Sequence, residues 1–138
     1  MKITIEKNIN APVADVLRVF NNPDDIVQWD GAEGWRIAWA TNELKVGGKL
    51  VLHNEAKDGG KEFDLVATYT QIEPNRLIEC RQDDGLTARF EFIDTDTGVT
   101  FRQTFDANST QTEVQQRSEW QTVLEHFAEH VEWPCVVA

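Results

Sequence analysis

Residues able to do acid–base, nucleophilic or metal chemistry are few in this chain. His126 and His130 stand four apart, with Glu125 and Glu129 beside them. Such a pair can share a helix face and ligate zinc, but a site needs a third ligand from elsewhere. At about 100° per residue, His126 falls well off the apolar stripe of its segment and His130 on its shoulder. A solvated face is the preferred reading, and His53, on the outward phase of a strand, is read the same way. Asp30 follows Trp29 and could act as an acid of raised pKa if buried; an exposed loop position is preferred. Gly47-Gly48 and Gly59-Gly60 carry no phosphate-loop or dinucleotide pattern and fit a bulge and a turn. Cys80 and Cys135 have no metal-type spacing and are expected as free thiols. No catalytic constellation, metal site or cofactor site emerges.

What positions these residues is a chain of 138 residues, 41% of them hydrophobic, which suits one domain over 1–138 with a real core. The 24 acidic residues outnumber the 13 basic ones, for a net charge of −11. Such a surface repels phosphate backbones and anionic membranes, so neither nucleic acid nor membrane is an expected partner. No apolar run approaches the roughly 20 residues that cross a bilayer. The N-terminal "MKITIEKN" alternates in place of a signal peptide's continuous apolar stretch. A cytoplasmic location is expected.

Ile3 and Ile5 alternate with Lys2, Thr4 and Glu6, which predicts a half-buried strand. Pro12 suits a first helical turn, and Val13, Val16, Leu17 and Phe20 follow as one apolar stripe. Asn22-Pro23-Asp24-Asp25 repeats the start signal for a second short helix ending near Gln28. From Trp35 the period becomes two. Asp58-Gly59-Gly60, Glu73-Pro74-Asn75, Asp84-Gly85 and Asp96-Thr97-Gly98 punctuate strands near 47–57, 61–73, 76–82, 87–95 and 98–106. Short links of this kind predict an antiparallel meander. Trp120, Val123, Leu124, Phe127 and Val131 then mark a helix of about six turns, opening near Asn108–Thr110 and stopped by Pro134.

A curved sheet with one apolar face must be covered, and the last helix is the element long enough to do it. The strand phases put Trp35, Ile37 and Trp39; Leu50, Leu52 and Asn54; Phe63, Leu65, Ala67 and Tyr69; Ala88, Phe90 and Phe92; and Val99, Phe101, Gln103 and Phe105 inside. Five Trp and seven Phe either line a cavity or fill it, and the residues alone favour plain packing. Asn54, Tyr69 and Gln103 would orient a ligand if the interior is hollow; positions near strand ends, meeting water or backbone, are slightly preferred.

Over nearly its whole length the chain resembles the Activator-of-Hsp90-ATPase homologue branch of the START-like superfamily. "INAPVADV", "NPDDIVQW", "KVGGKL", "ATYTQIEPNRL" and "EWQTVLEHF" carry the likeness, in order. The resemblance implies an α+β helix-grip (Bet v 1-like) fold: a seven-stranded antiparallel curved sheet, two short helices, and a long C-terminal helix gripped around a hydrophobic cavity. Two departures stand out. Many relatives have a second aromatic after the Trp, where this chain has Asp30, which would make the rim more polar. Many have Gly before the helix Trp, where this chain has Glu119, which would narrow the space beside the helix.

With the resemblance, a usable cavity stands level with plain packing. The expected cavity is lined by Trp39, Leu52, Phe63, Tyr69, Phe90, Phe101, Trp120 and Leu124, opens near Trp29 and Trp35, and is oriented by Asn54 and Gln103. The leading expectation is non-enzymatic binding of a small hydrophobic or amphipathic molecule. The alternatives are an interaction module acting on an Hsp90-type chaperone, and an enzyme of the cyclase or hydrolase kind. The chaperone reading is weakened by a single short domain without the extra N-terminal domain of eukaryotic co-chaperones.

Overall fold

The computed structural model describes residues 2–31 and 34–133. Strand β1 (Lys2–Ile9) leads into helices α1 (Val13–Asn21) and α2 (Pro23–Trp29). Six strands follow: β2 (Trp35–Asn42), β3 (Lys49–Ala56), β4 (Glu62–Glu73), β5 (Leu77–Gln82), β6 (Thr87–Thr95) and β7 (Gly98–Asp106). Helix α3 (Glu113–Glu132) ends the described chain. The sheet runs β1-β7-β6-β5-β4-β3-β2 with every pair antiparallel, so the meander is closed on one side by the N-terminal strand. This is the helix-grip architecture. The expected stop at Pro134 and the thiol of Cys135 lie outside the described residues.

Local chemistry explains most boundaries. The Asn22 side chain accepts the Asp24 N–H at 3.1 Å, with Pro23 in the first turn, so α1 and α2 are separated by one cap. Asn75 takes φ 64 in the β4–β5 turn, a conformation Asn tolerates. Gly98 opens β7 at φ 149, where a Cβ would stand 2.1 Å from the Ile9 carbonyl. A side chain there would push β1 off β7.

Helix α3 starts later than the sequence suggested. Asn108 closes a turn, its Oδ1 accepting from the N–H groups of Thr110 (3.0 Å) and Gln111 (3.2 Å). The cap is Thr112: its Oγ1 accepts the Gln115 N–H at 3.1 Å, and Gln115 Oε1 accepts the Thr112 N–H at 3.0 Å. This reciprocal pair satisfies two otherwise orphaned donors.

Two strands change phase part-way. Register shifts fall between Ile37 and Trp39 in β2, and between Tyr69 and Gln71 in β4. An extra residue in one strand turns everything beyond it to the opposite face. Ile37 is buried as expected, but Ala40 takes the next inward position and Trp39 swings to the convex side, 46% exposed. The expectation that Trp39 faces inward is therefore wrong, and the bulge is the reason.

An aromatic cluster gathers around the half-buried Phe20, whose ring lies 4.8–5.9 Å from those of Trp29, Phe90, Phe92, Phe101 and Phe127. The convex face is charged. Arg102 bridges Glu6 (2.9 Å) and Glu91 (4.0 Å), and Arg89 bridges Glu91 (3.6 Å) and Glu79 (2.6 Å), across β1, β7, β6 and β5. Helix α3 rests along β1, with Arg117 donating to the Thr4 carbonyl at 2.7 Å and Lys7 meeting Glu125 at 2.8 Å. The concave surface of β3 to β6 is left standing away from it.

Candidate functional site

That stand-off creates a cavity of about 300 Å³ between the sheet and α3. It is at the lower end of the ~300–1,000 Å³ range of small-molecule sites. Leu52, Tyr69, Phe90, Phe101, Trp120 and Leu124 face it, as does Gln103, and Trp29 forms part of one end. Among the described residues, Asp84 and Asn108 are the exposed part of its lining, so the mouth lies between the β5–β6 hairpin and the start of α3. Among the described residues Trp29 frames no opening, contrary to the expectation. Trp29 is buried, and its indole N–H donates to the Val19 carbonyl at 2.9 Å.

Four of the expected lining residues lie elsewhere. Trp39 is on the convex face. Trp35 and Phe63 meet edge to face at 5.1 Å at the far end of β2 and β4, with Phe63 48% exposed. Their phase is inward, but the cavity stops short of that end of the sheet. Asn54 is buried and turns its amide to the Leu52 carbonyl at 3.1 Å. It is not among the residues that line the cavity. Tyr69 does reach the cavity wall, yet its hydroxyl donates to Asn42 Oδ1 at 2.6 Å, and Asn42 Nδ2 donates to the Asn21 carbonyl at 2.8 Å. Burial and loss of hydration keep that hydroxyl un-ionised.

Among the wall residues not expected there, three bear on its chemistry. Asp30 is half-buried against the cavity and not on an exposed loop. Burial pushes its carboxyl up to about 6, against a smaller lowering by the Gly31 N–H, which donates to Oδ1 at 2.7 Å. Cys80 is buried in the wall, its thiol pushed up to about 11 by burial, so it stays protonated and inert. Gln116 is buried one helical turn before Trp120; its Oε1 accepts the Asn108 N–H at 2.9 Å and its Nε2 donates to the Gln111 carbonyl at 3.0 Å. Position i−4 of the Trp120 stripe is the signal that could have found it.

Trp120 itself is half-buried, tilted over Phe105 at 6.0 Å, a wall of the cavity more than a plug in the core. Glu119 does not narrow the space: its carboxylate accepts from Gln111 Nε2 at 3.1 Å, outside the lining.

His126 is exposed as expected, while His130 and His53 are less solvated than expected. His130 is half-buried and pairs with Asp25 at 3.0 Å, joining α3 to α2. His53 keeps its outward phase but stacks on Trp39 and shares its Nδ1 with Asp64 at 2.5 Å. That hydrogen bond, chiefly, raises its pKa, with the charges of Asp64, Glu62 and Glu55 adding and partial desolvation opposing. His53, Glu55 and Glu62 are the group among the described residues whose ligand atoms could surround a metal ion. Glu55 is already claimed by Arg36 at 3.0 Å, which competes with any cation.

A seven-stranded sheet gripping one long helix around such a cavity is then matched to known proteins. A family model described as Activator of Hsp90 ATPase homolog 1-like protein covers residues 10–132. The chain belongs to this family. Among solved structures, an AHSA1-like protein from Aeromonas hydrophila is similar at 34% identity, over 96% of this chain and 92% of that one, with a TM-score of 0.87. Chr148 from Cytophaga hutchinsonii is similar at 33% identity over 95% and 92%, with a TM-score of 0.83. CV1439 from Chromobacterium violaceum, at 20% identity over 95% and 96% and a TM-score of 0.81, shares the fold. No curated protein matches the sequence. Among the described residues of this Activator of Hsp90 ATPase homologue-like chain, no helix is long and apolar enough to cross a membrane.

Proposed function

We propose that this protein binds a small hydrophobic or amphipathic molecule between its sheet and α3, without transforming it. The observation that supports this most is a cavity of about 300 Å³ with aromatic walls in a chain whose polar interior is otherwise satisfied. Among the described residues no buried side-chain nitrogen or oxygen lacks a hydrogen-bond partner. A fold that closes its polar accounts so fully yet leaves an apolar space gains from an apolar occupant.

The test is titration with an apolar fluorescent dye. Saturable binding, with a shift in Trp emission and a melting temperature that rises with dye concentration, supports the reading. Absence of any saturable response overturns it.

The family's description favours a second reading, a co-chaperone-type contact with an Hsp90-like ATPase. The exposed Leu44 and Val46 on the β2–β3 loop offer an apolar contact for such a partner. Stimulation of ATP hydrolysis by an Hsp90-type protein, lost in the Leu44→Ser/Val46→Ser double variant, would support it.

A further inference from the structure

The charged groups lining the cavity are all of one sign. Among the described residues they are Asp30, Asp84 and Asp106, with no Lys, Arg or His. They differ in setting more than in hydrogen bonding, since Asp84 and Asp30 each accept one backbone N–H and Asp106 is ion-paired. Asp106 is ion-paired to Lys2 at 2.6 Å and accepts from the Thr87 N–H and hydroxyl, both at 2.8 Å, contacts that hold its carboxyl well below the usual range. Asp84 lies on the exposed β5–β6 hairpin and accepts the Leu86 N–H at 3.0 Å.

Asp30 differs. It lies at the aromatic end of the cavity, directly after Trp29, whose ring stacks on Phe20 at 5.9 Å and meets Phe127 at 4.7 Å. Its Oδ1 holds the Gly31 N–H. An ionised carboxylate offers about four acceptor positions on two oxygens, so with respect to the described residues most of its capacity stays open to an occupant.

We infer that the cavity selects a cationic amphiphile, an alkyl or aromatic body carrying an ammonium group that meets the Asp30 carboxylate beside Trp29. This rests on the ligand-binding reading above and gives it a charge. The apolar body packs on Phe90, Phe101, Phe105 and Leu124, while the ammonium gains both a charge-assisted hydrogen bond and the neighbouring aromatic rings. A fatty acid or phosphorylated lipid would place a second negative charge against Asp30 in a poorly hydrated wall, with no cation in the lining to offset it.

The test compares three probes of equal length, octylammonium, 1-octanol and octanoate, by calorimetry at neutral pH. Salt near 0.15 M screens the overall charge of −11. Octylammonium is expected to bind at least tenfold more tightly than octanoate. Asp30→Asn, which keeps the acceptor for Gly31, should bring the two within about threefold and leave octanol unchanged. Asp96→Asn, on the β6–β7 turn, makes the same change in net charge and should preserve the preference.

Octanoate binding as well as octylammonium to the unaltered protein overturns the inference while leaving the cavity reading intact. So does loss of the preference in Asp96→Asn. If octanol and both ions all fail to bind, the ligand-binding reading falls and this inference with it.

Discussion

The Trp39 indole lies flat against the His53 imidazole on the convex face, ring centroids 5.1 Å apart and planes within 3°. A titrating ring therefore rests on a fluorophore, and its protonated form is favoured by Asp64, then by Glu62 and Glu55. Because the folded pKa lies above the unfolded value, the stabilisation from this site is complete below about pH 6.5 and is lost as pH rises through the folded pKa. His53→Gln should destabilise more at pH 5.5 than at pH 9 in urea unfolding. Equal losses at both pH values would mean that the imidazolium contributes nothing.

Asp30 titrates in the same sense but in a lower pH window. Its carboxyl, raised to about 6, favours the folded state while protonated; that advantage is complete below about pH 4 and disappears as pH rises through 6. Asp30→Asn should match the unaltered protein at pH 4 and exceed it by about 1–3 kcal/mol at pH 8. A constant difference across that range would place the carboxyl in water.

Phe127 and Trp120 separate core from wall. Phe127 is 1% exposed and packs on Phe20, Trp29 and Phe101, so Phe127→Ala should cost about 3–5 kcal/mol. Trp120 faces the cavity and is half-buried, so Trp120→Ala should cost about 1–2 kcal/mol while enlarging the space for a dye. Equal losses on chemical denaturation would show that Trp120 is packed as core.

Leu124 is buried in α3 and faces the cavity. Leu124→Phe adds volume where there is room, so stability should change by less than about 1.5 kcal/mol. Dye affinity should fall at least threefold. Unchanged affinity would place the dye on another surface.

The order of elements, the meander and both short helices were legible in the sequence because period and turn chemistry are local. The inward phases of β3, β6 and β7 followed for the same reason. What was not legible came from breaks in locality. The bulge before Trp39 has no composition of its own, since Ala38 resembles any strand residue, and so the indole was put on the wrong face. Asp30 reads as loop because Gly31 and Gly34 follow it and break the helical pattern, yet the long-range packing of α2 against β2 and α3 carries it into the wall. Thr112 and Gln115 did carry a readable capping signature, outcompeted by the Asn and Ser residues just before them. Trp35 and Phe63 have the right phase in the wrong place, because phase says which face a residue takes and not how far the cavity extends.

The bulge has a consequence for the sheet's rim. Strand β2 is a terminal strand, packed by α2 much as β1 at the other side is packed by α3, and its outer backbone row has no strand partner among the described residues. A regular row of unpaired N–H and C=O groups is the template for pairing with a second chain, and an extra residue in the row spoils its spacing. Ala38 thus interrupts the regular spacing that edge-to-edge pairing with another copy would need. Deleting it would straighten the row and favour concentration-dependent self-association, visible as a larger species on size-exclusion chromatography.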